Sequence, residues 1–440
     1  MNVQLHYRIA GRGASEIAAS IETAVRDGSL APGAQLPPVR DLGRRLRVSP
    51  ATVASAYRLL RSRGLASGQG RRGTRVTNRP PLPTRSPAAV PAHLRNLADG
   101  NPDPKLLPDL PLSLRGPHRR PRLYGEGVNL PELVAAARRQ LEADGIRGDL
   151  AITSGGLDGI ERVLGAHLRP GDRVAVEDPG FTGVLDLVSA LGLGAEPVRV
   201  DDSGPIRADL ERALRAGVAA LVVTPRAQNP TGACLDEHRV RELRPVLERH
   251  PDCLVVEDDH AGPVAGASPL TLCHGRSSWV VVRSVSKSLG PDLRLAVLCG
   301  DPVTVARVEG RQRLGTGWVS HVLQRAVLAL WSDRRVTAGF DAAAEADADR
   351  RESLIAALAA RRIRAHGRSG MNVWVPVAEE AAAVAALAER GWAVRSGEPY
   401  RTKTPPAIRV TISSLKPGEA ERFAADLAER LRPEARTAIK

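Results

Sequence analysis

A chain of 440 residues is too long for one ordinary domain, so two or three are expected. With 42% hydrophobic and 25% charged residues, no apolar run near the ~20 residues of a bilayer span and no signal-peptide pattern at the start, a membrane or secreted role is not expected. The net charge of +14 is concentrated, because residues 1–79 hold 14 arginines against four acids, a footprint that points to a polyanionic partner, nucleic acid first. The four cysteines, Cys234, Cys253, Cys273 and Cys299, have no CxxC spacing and read as reduced core thiols of a cytosolic (cytoplasmic) protein.

In chain order, residues 15–27 put Ile17, Ile21, Ala24 and Val25 on one helical face, and Gly28 ends the helix. A second short helix is expected over 38–46, with Val39, Leu42 and Leu46 inward. Ser49-Pro50 supplies an N-cap followed by a proline at the first helical position. The third helix should run to about Arg63, with Val53, Tyr57 and Leu60 inward. Residues 65–76 read as two short strands around a glycine- and arginine-rich turn. Three helices and a basic hairpin make a winged helix-turn-helix over 11–79, whose third helix enters the major groove. Ser49, Thr52 and Ser55 near the start of that helix can reach phosphates or base edges. Arg40, Arg44 and the wing residues Arg71 and Arg72 suit phosphate contact, which orients a protein on DNA without reading sequence. In Leu36-Pro-Pro-Val-Arg-Asp-Leu42, Val48-Ser-Pro-Ala-Thr-Val-Ala-Ser-Ala-Tyr-Arg-Leu-Leu60 and Gly73-Thr-Arg-Val76 this segment resembles the GntR family of bacterial regulators. One departure is Pro50, where members often carry arginine.

Residues 80–96 are proline-rich and aperiodic, a semi-rigid linker. Beyond them, over 97–433, apolar runs alternate with helical patterns. Strands are expected at 173–177, 221–224, 254–257, 280–283 and 295–298, in an α/β domain with a largely parallel sheet. The tail reads as helix 353–360, strand 371–377, helix 381–390, strand 392–395, strand 408–413 and a helix from 417, a small C-terminal α+β lobe.

The chemistry lies in the loops at the strand ends, where open α/β sheets bind ligands. Of 63 basic residues only five are lysines, so a lysine kept beside a run of valines at 287 is read as needed for its amine. A desolvated lysine can lose its proton and attack a carbonyl, forming a Schiff base. Gly155 and Gly156 precede a helix and can turn backbone N–H groups toward an anion. Phe181 delivers an aromatic ring in a chain with 3% aromatic residues. Asn229 offers a donor and an acceptor, Asp258, Asp259 and His260 follow the next strand, and Ser284, Ser286, Lys287 and Arg294 the one after. Asp258, Asp259 and His260 could suggest a metal, but no second cluster has ligand spacing, so none is expected. One ligand uses the whole set: an aldehyde for Lys287, a ring for Phe181, a ring nitrogen for a carboxylate, a phenolic oxygen for Asn229, and a phosphate for the glycines, serines and Arg294. That ligand is pyridoxal 5'-phosphate.

With these motifs in this order, residues 97–433 resemble the class I/II aminotransferases of fold type I, and the whole chain resembles the MocR subfamily of GntR-type regulators, in its PtsJ-type branch. The fold class expected is therefore an N-terminal winged helix-turn-helix plus an α/β fold type I aminotransferase-like domain with the small lobe. The resemblance implies Lys287 as the Schiff-base lysine, Asp258 at the pyridine nitrogen, Asn229 at the ring oxygen, and Phe181 as the stacking ring. It implies Gly155, Gly156, Ser284, Ser286 and Arg294 around the phosphate, Tyr124 reaching the phosphate of a neighbouring subunit, and Arg409 gripping an effector carboxylate. His260 stands where the family usually has tyrosine. It further implies a regulator of vitamin B6 salvage or amino-compound metabolism, acting as a head-to-tail homodimer on promoter DNA, with each reader resting on the partner's large domain. Its effector would be the cofactor itself or an amino compound. A working aminotransferase with a fused reader is the alternative, favoured by Arg409 and Tyr124; a nonspecific DNA binder would leave the cofactor constellation unused.

Overall fold

The computed structural model describes residues 9–26, 29–31, 33–62, 64–68, 73–77, 90–109 and 124–431. Arg71, Arg72 and residues 80–89 of the expected linker lie outside them. The chain divides into two compact units. In the N-terminal one, the spacing of Ile17, Ile21 and Ala24 is realised in α1 (Ala14–Arg26), followed by α2 (Val39–Leu46) and α3 (Pro50–Ser62). Arg47 takes a left-handed conformation (φ 54°) to close α2, and Ser49 Oγ accepts the Thr52 N–H at 3.1 Å to open α3. β1 (Ala66–Gly68) and β2 (Thr74–Val76) pair antiparallel, Ser67 opposite Arg75. Leu42, Val53, Tyr57 and Leu60 close the core, and Tyr57 Oη donates to Pro37 O at 2.6 Å.

β3 (Arg95–Asn96) opens the second unit. Its main sheet has eight strands: β4 (Asp149–Thr153), β5 (Arg173–Asp178), β6 (Gly194–Asp201), β7 (Gly204–Pro205), β8 (Ala220–Val223), β9 (Leu254–Asp259), β10 (Trp279–Ser284) and β11 (Ala296–Gly300). Their order is β4-β11-β10-β9-β8-β5-β6-β7. β8, β9 and β10 run parallel, and β11 is antiparallel to both its neighbours, β10 and β4, so β4 shares their direction and β11 is a reversed strand set among them. Apolar patterning marks 295–298 as a strand but carries no direction, which the return through residues 285–295 sets.

The small lobe has β12 (Asn372–Pro376), β13 (Trp392–Ala393), β14 (Arg395–Ser396) and β15 (Ala407–Thr411). β15 lies between β12 and β14, while β13 pairs in parallel with β3, so the single strand expected at 392–395 is split between two sheets. The helix expected at 353–360 is the end of a 26-residue helix, Arg334–Ala359. The lobe's core gathers Leu97, Leu354, Val373, Trp392, Val410 and Phe423. All four cysteines are free and buried. Among the described residues no helix is long and apolar enough to cross a membrane.

Candidate functional site

Side chains alternate across a strand, so three successive acids on β9 divide between two faces. Asp258 points to the face that also carries Gly156 and Ser284: a Cβ on Gly156 would lie 3.7 Å from Asp258 Oδ1 and 3.7 Å from Ser284 Cβ. Asp258 is 4% exposed, and its Oδ1 has no hydrogen-bond partner among the described residues. A buried acceptor in that state is matched to a donor from outside the chain. Burial first, then the neighbouring Asp259, push its pKa up to about 7, with Lys287 opposing.

Lys287 follows the end of β10, and its Nζ donates to Gly100 O at 2.7 Å. Burial and the Arg409 charge bring its pKa down to about 8, against the pull of Asp258. The amine is thus part-neutral near physiological pH, as a nucleophile requires. Ser284 and Ser286 join hydroxyl to hydroxyl at 3.0 Å on the same loop. Arg294, left-handed at φ 40°, lays its guanidinium over Gly155. A Cβ on Gly155 would come 2.6 Å from Arg294 Nη2, and φ is +103°, so only glycine fits. Gly155-Gly156, the serines and Arg294 converge at the N-terminus of the helix Gly156–His167, an anion cradle.

Asn229 Oδ1 accepts from Arg409 Nη1 at 3.1 Å. Arg409 is 4% exposed, also donates to Ala98 O, lies 5.1 Å from the Tyr400 ring centre, and keeps an Nε without a partner among the described residues. His260 Nε2 lies 2.8 Å from Ala227 O, and burial together with the Lys287 charge push its pKa down to about 4, so it is neutral. Phe181 follows β5, and a Cβ on Gly183 would meet both its ring (2.7 Å) and Leu157 (2.9 Å), which sets the ring beside the first turn of the helix Gly156–His167. Tyr124 stands apart, 93% exposed with its ring edge-on to Trp318 at 5.8 Å.

Sequence reasoning missed three parts of this site. On the opposite face of β9, Asp259 is clamped by Arg226 (2.8 Å) and Arg283 (2.6 Å), and Arg283 also reaches Asp144 at 2.6 Å. The two guanidiniums hold Asp259 well below the usual carboxylate range despite its burial, so it stays an anion and bears on Asp258. The signal was present: two adjacent acids on one strand face opposite ways and cannot share one task. Gly100 and Tyr400, next to Lys287 and Arg409, carried no motif.

On the N-terminal unit, Arg40, Arg44 and Ser49 are exposed and Thr52 and Ser55 half-exposed at the start of α3, with Arg44 paired to Asp41. Ser55 Oγ already donates to Ala51 O (2.9 Å) and accepts from Arg58 (2.7 Å), an exposed arginine the sequence reading passed over. The Ser49 hydroxyl is likewise engaged with Thr52.

Residues 119–427 match the aminotransferase class I and II family, and residues 14–76 match the bacterial regulatory proteins of the gntR family. The chain is 40% identical over 433 residues to the vitamin B6 salvage pathway transcriptional repressor PtsJ of Salmonella typhimurium, covering 96% of this chain and 99% of that one. It is 30% identical over 260 residues to the HTH-type pyridoxine biosynthesis transcriptional regulator PdxR of Corynebacterium glutamicum, 56% of each chain. Among solved structures, the kynurenine aminotransferase of Pyrococcus horikoshii, in complex with PMP and kynurenine, superposes with a TM-score of 0.68 at 21% identity over 77% of this chain and 91% of that one.

Proposed function

Because the chain belongs to the aminotransferase class I and II family and carries a gntR-family reader ahead of that domain, we propose that it is a pyridoxal-phosphate-responsive transcription regulator of vitamin B6 salvage. The observation that carries the reading is the conjunction of a buried carboxylate, Asp258, whose Oδ1 has no partner among the described residues, with a lysine of lowered pKa, Lys287, in a chain that also holds a helix-turn-helix. Bound there, pyridoxal phosphate supplies an aldehyde open to an amine and an electron-withdrawing ring. Lys287 provides the neutral amine. Asp258 holds a proton at the ring nitrogen, the donor its Oδ1 lacks. Gly155, Gly156, Ser284, Ser286 and Arg294 receive the phosphate, Phe181 covers the ring, and Asn229 meets its oxygen. His260, neutral, adds no charge of its own beside Lys287.

The domains assigned to these tasks are 11–79 for DNA and 97–433 for the cofactor, with 80–96 between them. The working unit is a head-to-tail homodimer in the cytoplasm, in which Tyr124 of each chain completes the other's phosphate site. Ser49, Thr52 and Ser55 meet the major groove while Arg40, Arg44, Arg71 and Arg72 contact phosphates. The ligand shifts DNA affinity only as far as it binds one arrangement of the dimer better than another.

The test has two arms. Full-length protein incubated with pyridoxal phosphate and reduced with borohydride should carry the label on Lys287, and Lys287→Ala should carry none. DNA from the promoters of B6-salvage genes should be bound in a salt-sensitive manner, with affinity that changes when the cofactor is added. No label at 287, or DNA binding indifferent to the cofactor, would overturn the proposal.

One observation favours catalysis as a second reading. Arg409 is buried beside Asn229 with an Nε that has no partner among the described residues, which suits an amino-acid carboxylate. Single-turnover mixing with L-amino acids decides it: release of keto acid supports an enzyme, and an unchanged visible band supports a sensor.

A further inference from the structure

Residues 97–101 run beside two cations of the site, Lys287 and Arg409, and carbonyls of the segment are held by groups far away in the chain. Leu97 O accepts from Thr411 N at 2.9 Å, Ala98 O from Arg409, Gly100 O from Lys287 Nζ at 2.7 Å, and Asn101 O from Ser413 Oγ. Gly100 is left-handed (φ +66°), and a Cβ there would come 3.3 Å from Arg409 Nη2, so the close passage needs glycine. On one side of the segment lies a cavity of about 420 Å³, walled in part by Asp99, Gly100, Asn101, Pro102, Leu107 and Pro291.

We propose that residues 98–101 are a latch that reads the state of Lys287: the free lysine holds them through Gly100, and capture of an aldehyde lets them go. The chemistry is that of any primary amine. The neutral amine adds to the aldehyde carbon, its two hydrogens leave with the carbonyl oxygen as water, and a carbon–nitrogen double bond forms. The nitrogen that carried three N–H donors as an ammonium keeps one at most, and it is tied to a new partner. Gly100 O loses its donor. The neighbouring cavity gives the segment room to move, and the left-handed glycine is its hinge. Going back along the chain, the segment continues through β3 into residues 80–96, which join it to the DNA-reading domain. The site and the reader are thereby connected through a stretch of backbone that the Lys287 amine helps to hold at Gly100.

The latch rests on the proposed role of Lys287, and its test separates the two. Amide exchange of the full-length protein is followed over 97–102 in the wild type, in Lys287→Met, which keeps the stem and drops the donors, and in Lys287→Arg, which restores a cation. Without any cofactor, Lys287→Met should exchange faster over 97–102 by about ten-fold, the effect of losing one charge-assisted hydrogen bond, and Lys287→Arg less so. Peptides from β9 and β10 should be unchanged, which reports that the variant is folded. Adding pyridoxal phosphate to the wild type should speed the same stretch while the visible band of bound cofactor appears. Wild-type exchange in Lys287→Met, or a band that forms while 97–102 becomes better protected, overturns the latch. Absence of the band with an opened segment in Lys287→Met would leave the latch standing and remove the cofactor reading instead.

Discussion

An amine attacks an aldehyde only when unprotonated, so the pKa of Lys287 sets the pH at which capture works. At about 8, roughly a tenth of the amine is neutral at pH 7, against about one part in a thousand or less for an ordinary lysine. The observed rate of pyridoxal phosphate capture should therefore climb with pH and level off just above pH 8, where an exposed lysine would still be climbing at pH 10. Stopped-flow absorbance across pH 6 to 10 (the ~ range in which lysines titrate) measures it. Asp258→Asn makes a linked prediction. The carboxylate raises the lysine's pKa, so its removal should move the capture midpoint to lower pH. It also removes the anion facing the ring nitrogen, and equilibrium affinity should fall roughly 10- to 100-fold, the effect of a hydrogen bond to a charged group. A variant that binds as tightly as the wild type would mean that Asp258 faces something else. Lys287 and Asp258 were legible in the sequence because one follows and the other ends an apolar run, where chemistry alone explains a polar group. Gly100 was not legible, since what it does depends on a lysine 187 positions away that only the folded chain brings near.

At the scale of elements, the buried charges beneath β9 make the site's acid what it is. Asp259 is 2% exposed and Arg283 6%, and the pair is closed by Arg226 and Asp144. Arg283→Leu would leave Asp259 with Arg226 as its one hydrogen-bonded guanidinium and strip Asp144 of its 2.6 Å bridge, and breaking such a buried pair costs about 3–5 kcal/mol. Urea unfolding of the variant measures it. The pH dependence has a fixed sign. The folded pKa of Asp259 is depressed, so its contribution is present above the unfolded value of about 4 and fades as pH falls below it. The deficit of Arg283→Leu should accordingly be full at pH 7 and shrink in acid. These elements also mark where sequence pattern stops. The runs of valine and leucine gave β8, β9 and β10 because strands buried on both faces need nothing else. The helix Arg334–Ala359 was seen only at its end, because its middle buries Asp347 and Arg351 where an apolar period would otherwise run. β13 and β14 read as one strand because pairing partners, one from residue 95 and one from 409, are invisible to a local pattern.

For the whole molecule, Tyr124 is the residue to ask. An aromatic side chain 93% exposed on a loop, edge-on to Trp318 and without a hydrogen bond among the described residues, is poorly explained within one protomer. If it completes the phosphate site of a second copy, the two chains of a dimer each lend one group to the other, and the loss of Tyr124 and the loss of Lys287 fall on the same site when they are carried by different chains. Lys287→Met homodimers have no capturing amine, and Tyr124→Ala homodimers have two weakened sites. In a heterodimer of the two, both losses fall on one site and the other is intact. Random assortment after mixing and refolding, or co-expression, then restores about a quarter of all sites to wild-type affinity, half of the dimers being mixed with one good site each. Were Tyr124 to serve its own chain, every site in the mixture would lack one group or the other, and no wild-type fraction would appear. Titrating the mixture with pyridoxal phosphate and reading the tight phase of the absorbance curve distinguishes the two outcomes. The same mixture carries over to DNA: a mixed dimer has one responsive half, so its operator affinity should respond to the cofactor by less than the wild type's, in proportion to how far each reader follows the site to which its own linker leads.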